Sequence, residues 1–514
     1  MGGMFVRKKA NKSGSVSVQV IDKANGYRVV KSIGAAHDPD EVQRLVSMGK
    51  AFIVQQRQQR VLFPENQHDD AVVRNFVKTL QNASIRTLGP ELIFGRLFDE
   101  IGFNIIPEEL FRAIVITRLV YPASKLKTTD YLYRYQGRTV SADRIYMFLD
   151  RLDERYVQQV KKIVSNHSHE ILKSISVVFY DMTSLYFEAS DEDDLRKIGY
   201  SKDGKFQNPQ IMLGLLVGEN GYPIGYDIFE GNTFEGKTLL PVLNRIQKEH
   251  EFGRPVVVTD AAMLSEENLE ELEKEKYPFI VAARMGNESQ QVQEEILSRC
   301  DGMTNGQTRE IDRGDGRRLI VSYTDKRAKK DAYNRQRGLQ RLAKQIGSGH
   351  MTKKQINNRG YNRFLKLTGP ASKVNIEIDQ SKVEQSAHWD GLKGYLTNTD
   401  LSAATILANY GQLWHIEKAF RISKTDLRIR PMWHYRRRRI EAHVLVAFVA
   451  YAIYKELERR LGEAGMAMSP SRAIELTQTM YEMTFTLPND PTPQRVLLQM
   501  DDQQQLLHKL LYGQ

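Results

Sequence analysis

Cysteine is almost missing from this 514-residue chain: Cys300 stands alone. No intramolecular disulfide and no cysteine-built zinc site is therefore available, which fits a reducing compartment. The stretch Met1 to Lys9 has no apolar signal core, and Val6 breaks the myristoylation pattern. No apolar run is long enough to cross a bilayer; the longest, Ala442 to Tyr454, reads as a buried helix. His434 and His443 lack the paired spacing of a zinc site, and no internal repeat stands out. The expectation left by these absences is a cytoplasmic, globular protein without a membrane partner.

What is present is an ample core and an excess of positive charge. The length suggests roughly three or four domains, and 41% of the residues are apolar. Lys plus Arg number 74 against 63 for Asp plus Glu, a net +11 that favours a polyanionic partner, nucleic acid first.

Along the chain, residues 1–173 read as an N-terminal region, a small hairpin and then helices, expected to bind DNA. Val16 to Val20 alternates, Ala24-Asn25-Gly26 makes a turn, and a helix runs from Pro39 to about Arg60. Residues 174–283 switch to strands at Val177–Tyr180, Ile211–Val217, Gly225–Phe229, Val256–Asp260 and Phe279–Ala283. Glu219-Asn220-Gly221 closes a hairpin, and helices follow from Lys237 and from the N-cap Ser265. That order predicts an α/β fold, a mixed sheet of the ribonuclease H type flanked by helices. Residues 284–390 form a basic insertion domain with strands at Leu319–Tyr323 and Val374–Ile378, and residues 391–460 return to the core with helices at Ser402–Lys424 and Ile440–Arg460. Residues 461–514 are a polar, Gln-rich C-terminal region that tells little.

Three acidic residues occupy framed positions. Asp181 ends the apolar run Val177-Val178-Phe179-Tyr180, and Asp260 ends Val256-Val257-Val258-Thr259. A buried strand that stops at Asp delivers a carboxylate to the carboxyl edge of a sheet, where α/β folds keep their sites. Glu417 lies in a helix-period segment with Leu413, Ile416 and Phe420 apolar. Together the three can hold a pair of hard divalent cations against a phosphodiester. Tyr410, Glu417 and Lys424 are spaced by seven, nearly two turns, and share one face of a continuous helix.

At these residues the chain resembles the DDE transposases of bacterial insertion sequences, in the group with a long insertion between the second Asp and the Glu. The resemblance covers about Ser174 to Tyr454 and includes Tyr180-Asp181-Met182-Thr183-Ser184, Gly214-Leu215-Leu216-Val217 with Gly231-Asn232-Thr233, and Thr259-Asp260-Ala261-Ala262 to Ser265. Such transposases carry Tyr, Arg, Glu and Lys with two, three and six residues between them. Here Tyr410, Glu417 and Lys424 match, but Leu413 stands at the Arg place, so Arg421, one turn beyond Glu417, becomes the substitute phosphate contact.

The resemblance implies catalytic and metal-binding roles for Asp181, Asp260 and Glu417. It also implies two Mg²⁺ ions per site, with Mn²⁺ as a substitute, and DNA contacts at Tyr410 and Lys424, to which helix geometry alone adds Arg421. It implies cleavage at the terminal inverted repeats of an element, strand transfer into target DNA, a homodimer and a nucleoid-associated location. Arg436 and Arg437, in the run Arg436 to Arg439, add expected backbone contacts. A nuclease without strand joining and a noncatalytic DNA-binding descendant are the alternatives. Each residue also has a plainer reading: a strand-end Asp as a turn residue, Glu417 as a solvated partner of Arg421, and Trp433 as a core side chain. Asp191, Asp193 and Asp194 read as a solvated loop.

Overall fold

The computed structural model describes residues 3–513 except 24–25, 60–72, 75, 79, 82–83, 251–252, 262–264, 315, 349–356, 358, 369–374 and 488–489. The chain divides into two compact units, residues 1–85 with 483–496 and residues 86–482 with 497–514.

In the first unit the alternation at Val16 to Val20 sets the structure. Strand β2 (Val16–Asp22) buries Val18 and Val20 and pairs antiparallel with both β1 (Phe5–Ala10) and β3 (Arg28–Ala36). Helix α1 (Pro39–Gln59) covers this sheet with Val42 and Val46. The expected hairpin is thus a three-stranded meander, and Ala24 and Asn25 of its expected turn lie outside the described residues.

In the second unit, short helical segments at Glu91–Gly95 and Arg96–Ile101 precede α2 (Glu109–Val120), α3 (Lys125–Gln136), α4 (Ala142–Arg151) and α5 (Glu154–Leu172). Ser124, Ser141 and Asp153 cap the last three by accepting from the backbone N–H groups of Lys127, Arg144 and Tyr156.

An eight-stranded mixed sheet follows. Its strands are β4 (Val177–Tyr186), β5 (Gln210–Val217), β6 (Pro223–Glu230), β7 (Val256–Thr259), β8 (Phe279–Ala283), β9 (Thr308–Asp312), β10 (Arg318–Tyr323) and β11 (Leu392–Thr397), in the order β9-β10-β11-β8-β7-β4-β5-β6. Only β4-β7 and β7-β8 are parallel. Helices α6 (Leu239–His250) and α7 (Glu266–Lys274) return the chain between these parallel strands. The α/β class and the mixed sheet flanked by helices are as expected from the sequence.

Two strands from the segment expected as an insertion, β9 and β10, extend this same sheet through β11. Val374, the expected start of a further strand, is outside the described residues, and Asn375–Ile378 pairs with Leu365–Thr368. Helix α8 (Asp325–Gly347) carries most of the basic stretch.

On one face of the sheet, α11 (Arg437–Glu463) is buried from Ala442 to Leu457 and packs against α2, α4, α5 and β6. This is the helix that the apolar run predicted. Among the described residues no helix is long and apolar enough to cross a membrane.

The glycine of Gly231-Asn232-Thr233 has a steric reason. A Cβ on Gly231 would stand 2.1 Å from the Gln210 carbonyl oxygen and 2.3 Å from that of Lys197, two backbone atoms that cannot swing away. Lys197 and Gln210 exchange backbone hydrogen bonds of 3.1 and 2.9 Å at this spot, pinning the β4–β5 loop to the sheet. Gly231→Ala is expected to cost about 3 kcal/mol by overpacking, read as a lower urea midpoint at unchanged m-value; an unaltered midpoint would show that the loop simply shifts.

Candidate active site

The register of two strands builds the centre of the site. Val177, Val178 and Phe179 stand opposite Val256, Val257 and Val258, so two residues on, Asp181 stands beside Asp260. Thr259 Oγ1 donates to the Tyr180 carbonyl at 3.1 Å, tying the strands together one residue before the two acids. Asp260 directly follows β7, as its sequence context predicted.

Asp181 does not end its strand; β4 continues to Tyr186. The reason is asymmetric pairing: the parallel partner β7 stops at Thr259, whereas β5 pairs antiparallel with β4 from Phe179 to Tyr186. Asp181 is therefore at the edge on one side and inside a ladder on the other.

The electrostatics are those of crowded carboxylates. Burial pushes Asp181 up to about 6, and the neighbouring charges of Glu235 and Asp260 push the same way, against Lys202 and the Met182 N–H. That N–H donates to Asp181 Oδ1 at 2.7 Å. Lys202 Nζ stands 3.8 Å from Asp181 Oδ1 and 2.7 Å from Glu235 Oε1, and donates to the Met182 carbonyl at 2.8 Å. Burial works against the Lys202 charge, but the surrounding acids hold its pKa above the ordinary lysine value. Neither Lys202, in the long β4–β5 loop, nor Glu235, just after Gly231-Asn232-Thr233, was singled out from the sequence. Their partners lie on distant segments, and no local pattern announces them.

The helix expected to carry Tyr410, Glu417 and Lys424 on one face is not continuous. Helix α9 (Ala403–Gly411) ends near Gly411, α10 (Trp414–Arg421) starts afresh, and a π-helical turn covers Ile422–Asp426. Leu413, at the expected Arg place, sits in the break and packs against the main core, an apolar role that an arginine there would not fill.

Tyr410 packs edge-on against Tyr395 with ring centroids 4.9 Å apart, and Lys393 Nζ lies 4.1 Å from the centre of its ring. Its phenol is pushed up to about 12 by burial, then by the charges of Asp260 and Glu417. Tyr410 is thus the group that feels both the second aspartate and the glutamate. Helix α10 packs against β4 and β5 through its buried side, with Glu417 exposed.

Lys424 Nζ lies 3.5 Å from Asp203 Oδ2, and Arg430 pairs with the same carboxylate. Arg421 is exposed. Arg436 and Arg437 are also exposed, 3.6 Å from Asp150 and 2.9 Å from Glu441 respectively. Asp193 is a loop residue as expected, accepting from the backbone N–H groups of Leu195 and Arg196.

Asp181, Asp260, Glu235 and Glu417 offer only oxygen donors, the set that a hard divalent cation takes. Burial first, and then the charges of Glu235 and Asp260, disfavour the Asp181 carboxylate, and a bound cation would offset that cost. Among the described residues, no three His, Cys, Asp or Glu side chains converge closely enough to hold an ion as they stand. The strand register carries Asp181 and Asp260 towards each other, whereas among the described residues Glu417, exposed on α10, is not brought into a cluster with them; Tyr410 feels the charges of both Asp260 and Glu417.

The sequence pattern of the family described as "Transposase DDE domain" matches residues 172–453, more than half of the chain and the span holding all three acids. No curated protein matches. Among solved structures, a piggyBac transposase synaptic complex with hairpin DNA is similar at 11% identity and a TM-score of 0.40, with 76% of each chain covered. A Mos1 transposase paired-end complex with left transposon end is similar at 15% identity and a TM-score of 0.16, over 30% of this chain and 53% of that one. A mariner Mos1 paired-end complex with Mg is similar at 16% identity and a TM-score of 0.15, over 33% and 57%.

Proposed function

Because the chain belongs to the transposase DDE domain family and is a DNA transposase, we propose that it cleaves DNA at the ends of its own insertion element and joins the freed 3′ hydroxyl to target DNA, both by in-line displacement at Asp181, Asp260 and Glu417. The observation that supports this reading is the parallel register of Val177–Phe179 against Val256–Val258, which leads Asp181 to within the field of Asp260 just beyond the end of β7. Mg²⁺, or Mn²⁺ in its place, would supply Lewis-acid activation of the attacking and leaving oxygens when bound.

The residues of the chain do the rest. Asp181, Asp260 and Glu417 would hold the divalent ions. Lys424 and Arg421 meet phosphates as point charge and fork, and Tyr410 touches the DNA end. The core is read as ribonuclease H-like in two parts, 174–283 and 391–460. The regions 1–173 and 284–390, with Arg436 and Arg437, contact duplex DNA. A homodimer holding two element ends at their terminal inverted repeats completes the proposal.

The test uses the purified full chain, Mg²⁺ and a duplex ending in the element's terminal repeat. Nicked ends together with joined products are expected. Nicks without joining would overturn strand transfer in favour of a nuclease, and binding without nicks would leave only a noncatalytic descendant.

A further inference from the structure

A cavity of about 250 Å³ opens between the start of α3 and the loop before α11, lined by Arg118, Lys125, Arg428, Arg430, Trp433 and His434 among others. Its wall contains two cations that are almost wholly enclosed: Arg118 and Lys125 are each 5% exposed. Among the described residues Arg118 reaches only a carbonyl, that of Leu427, at 3.4 Å. Among the described residues Lys125 has no ion pair. Among the described residues no carboxylate lines the cavity, and Asp150, an acid whose charge acts on His434, is held by Arg439 at 2.6 and 2.7 Å.

Burying one charge without a partner is costly, and burying two of the same sign side by side is more so. The cost is visible in the groups themselves. Burial lowers Arg118 to about 10, and burial followed by the charge of Arg118 takes Lys125 well below the ordinary lysine value. His434 and His443 are 8% and 7% exposed, and burial and the same cations keep both neutral. His443 Nδ1 is buried with no hydrogen-bond partner.

We propose that this cavity is a phosphate-binding pocket that seats one backbone phosphate of the DNA strand leading to the catalytic carboxylates. Arg and Lys are the donors that a phosphodiester oxygen takes most readily. The pocket is connected to the reaction centre: Arg430 lines it and pairs with Asp203, which also binds Lys424, and the preceding residue, Lys202, is on Asp181. Trp433, 63% exposed at the rim, gives the adjoining base a face to stack on. The proposal rests on the DNA-cleaving function above and adds to it a specific phosphate contact outside the acidic residues and the Tyr410–Lys424 segment.

The experiment compares the full chain with Lys125→Met, Arg118→Met and the charge-keeping Lys125→Arg. Thermal midpoints are measured in inorganic phosphate and in chloride at matched ionic strength, and element-end duplex binding is followed against salt. Lys125→Met is expected to melt above the parent in chloride, because an unpaired buried charge is gone, and to lose the midpoint gain that phosphate gives the parent. Its DNA affinity should fall about tenfold, and the slope of log affinity on log salt should shrink by about one. Lys125→Arg should keep both responses.

If Lys125→Met and Arg118→Met respond to phosphate and salt as the parent does, the pocket is refuted. Loss of the phosphate response with an unchanged salt slope would make it a site for free anions and overturn the DNA assignment. A parent that gains stability from phosphate through Lys125 but does not bind element-end duplex would leave the pocket standing and refute the DNA-cleaving reading instead.

Discussion

Asp181→Asn is expected to abolish nicking of element-end DNA while leaving duplex binding intact. Under the proposed function Asp181 would help to hold the metal, so its loss should remove several kcal/mol of charge stabilisation from the displacement, and at 1.36 kcal/mol per tenfold this predicts a rate at least about 10³-fold lower. The isosteric amide separates chemistry from folding. Burial, and then the charges of Glu235 and Asp260, disfavour the charged Asp181, so its pKa of about 6 lies above the ordinary aspartate value. A raised carboxylate contributes stability to the metal-free fold below the unfolded value and loses it as pH rises to about 6.

Asparagine resembles the protonated form, so the variant should not melt below the parent at pH 7. Metal must displace the Asp181 proton, and Mn²⁺ affinity of the parent should therefore fall by about tenfold per pH unit below about 6. Followed by Mn²⁺ electron paramagnetic resonance without DNA, that pH dependence should be missing from the variant. Retained nicking by Asp181→Asn would remove this residue from the reaction.

What the sequence makes legible here is what neighbouring residues decide. The apolar runs before Asp181 and Asp260 are strands because buried parallel strands need apolar side chains on both faces, and Ser265 caps α7 by accepting from the Asn268 N–H at 3.2 Å. The apolar run Ala442 to Tyr454 lies inside the buried α11 for the same local reason. Contacts that cross the chain are not written locally. Lys202 meets Asp181 and Glu235 from a loop whose only cue is a turn-forming Ser201-Lys202-Asp203-Gly204. The break between α9 and α10 falls where Leu413 turns into the core, and periodicity alone carries a helix straight through it. The Gln-rich end held a readable signal that composition hid. Asp501 and Gln504 form a capping box, with hydrogen bonds of 2.8 and 3.0 Å, at the start of α12 (Asp502–Tyr512).

The largest stability effect is expected at Glu456, a carboxylate of α11 that is fully buried. Tyr222 Oη donates to it at 3.1 Å, Arg459 from Nε at 3.0 Å and from Nη2 at 2.5 Å, and Arg460 Nε at 2.7 Å. His167 Nε2 of α5 stands 3.3 Å away. Burial opposes the charge, but hydrogen bonds from His167, Arg459 and Arg460 more than reverse it and hold the carboxyl far below the usual glutamate range. One side chain thus ties α11 to α5 and to the β5–β6 turn.

Glu456→Gln keeps the volume, but it points an amide at a ring of donors and leaves Arg459 and Arg460 only their more exposed second partners, Glu463 and Glu100, at a cost of about 3–5 kcal/mol. For a unit of this size that is a fall of about 5 °C in thermal midpoint. A depressed carboxylate stabilises fully above its unfolded value, about 4.3, and loses that contribution as pH falls below it. The gap between parent and variant should therefore be widest near pH 7 and narrow steadily from pH 5 towards pH 3. Equal midpoints at pH 7, or a gap that ignores pH, would show that the charge at Glu456 does not hold these elements together.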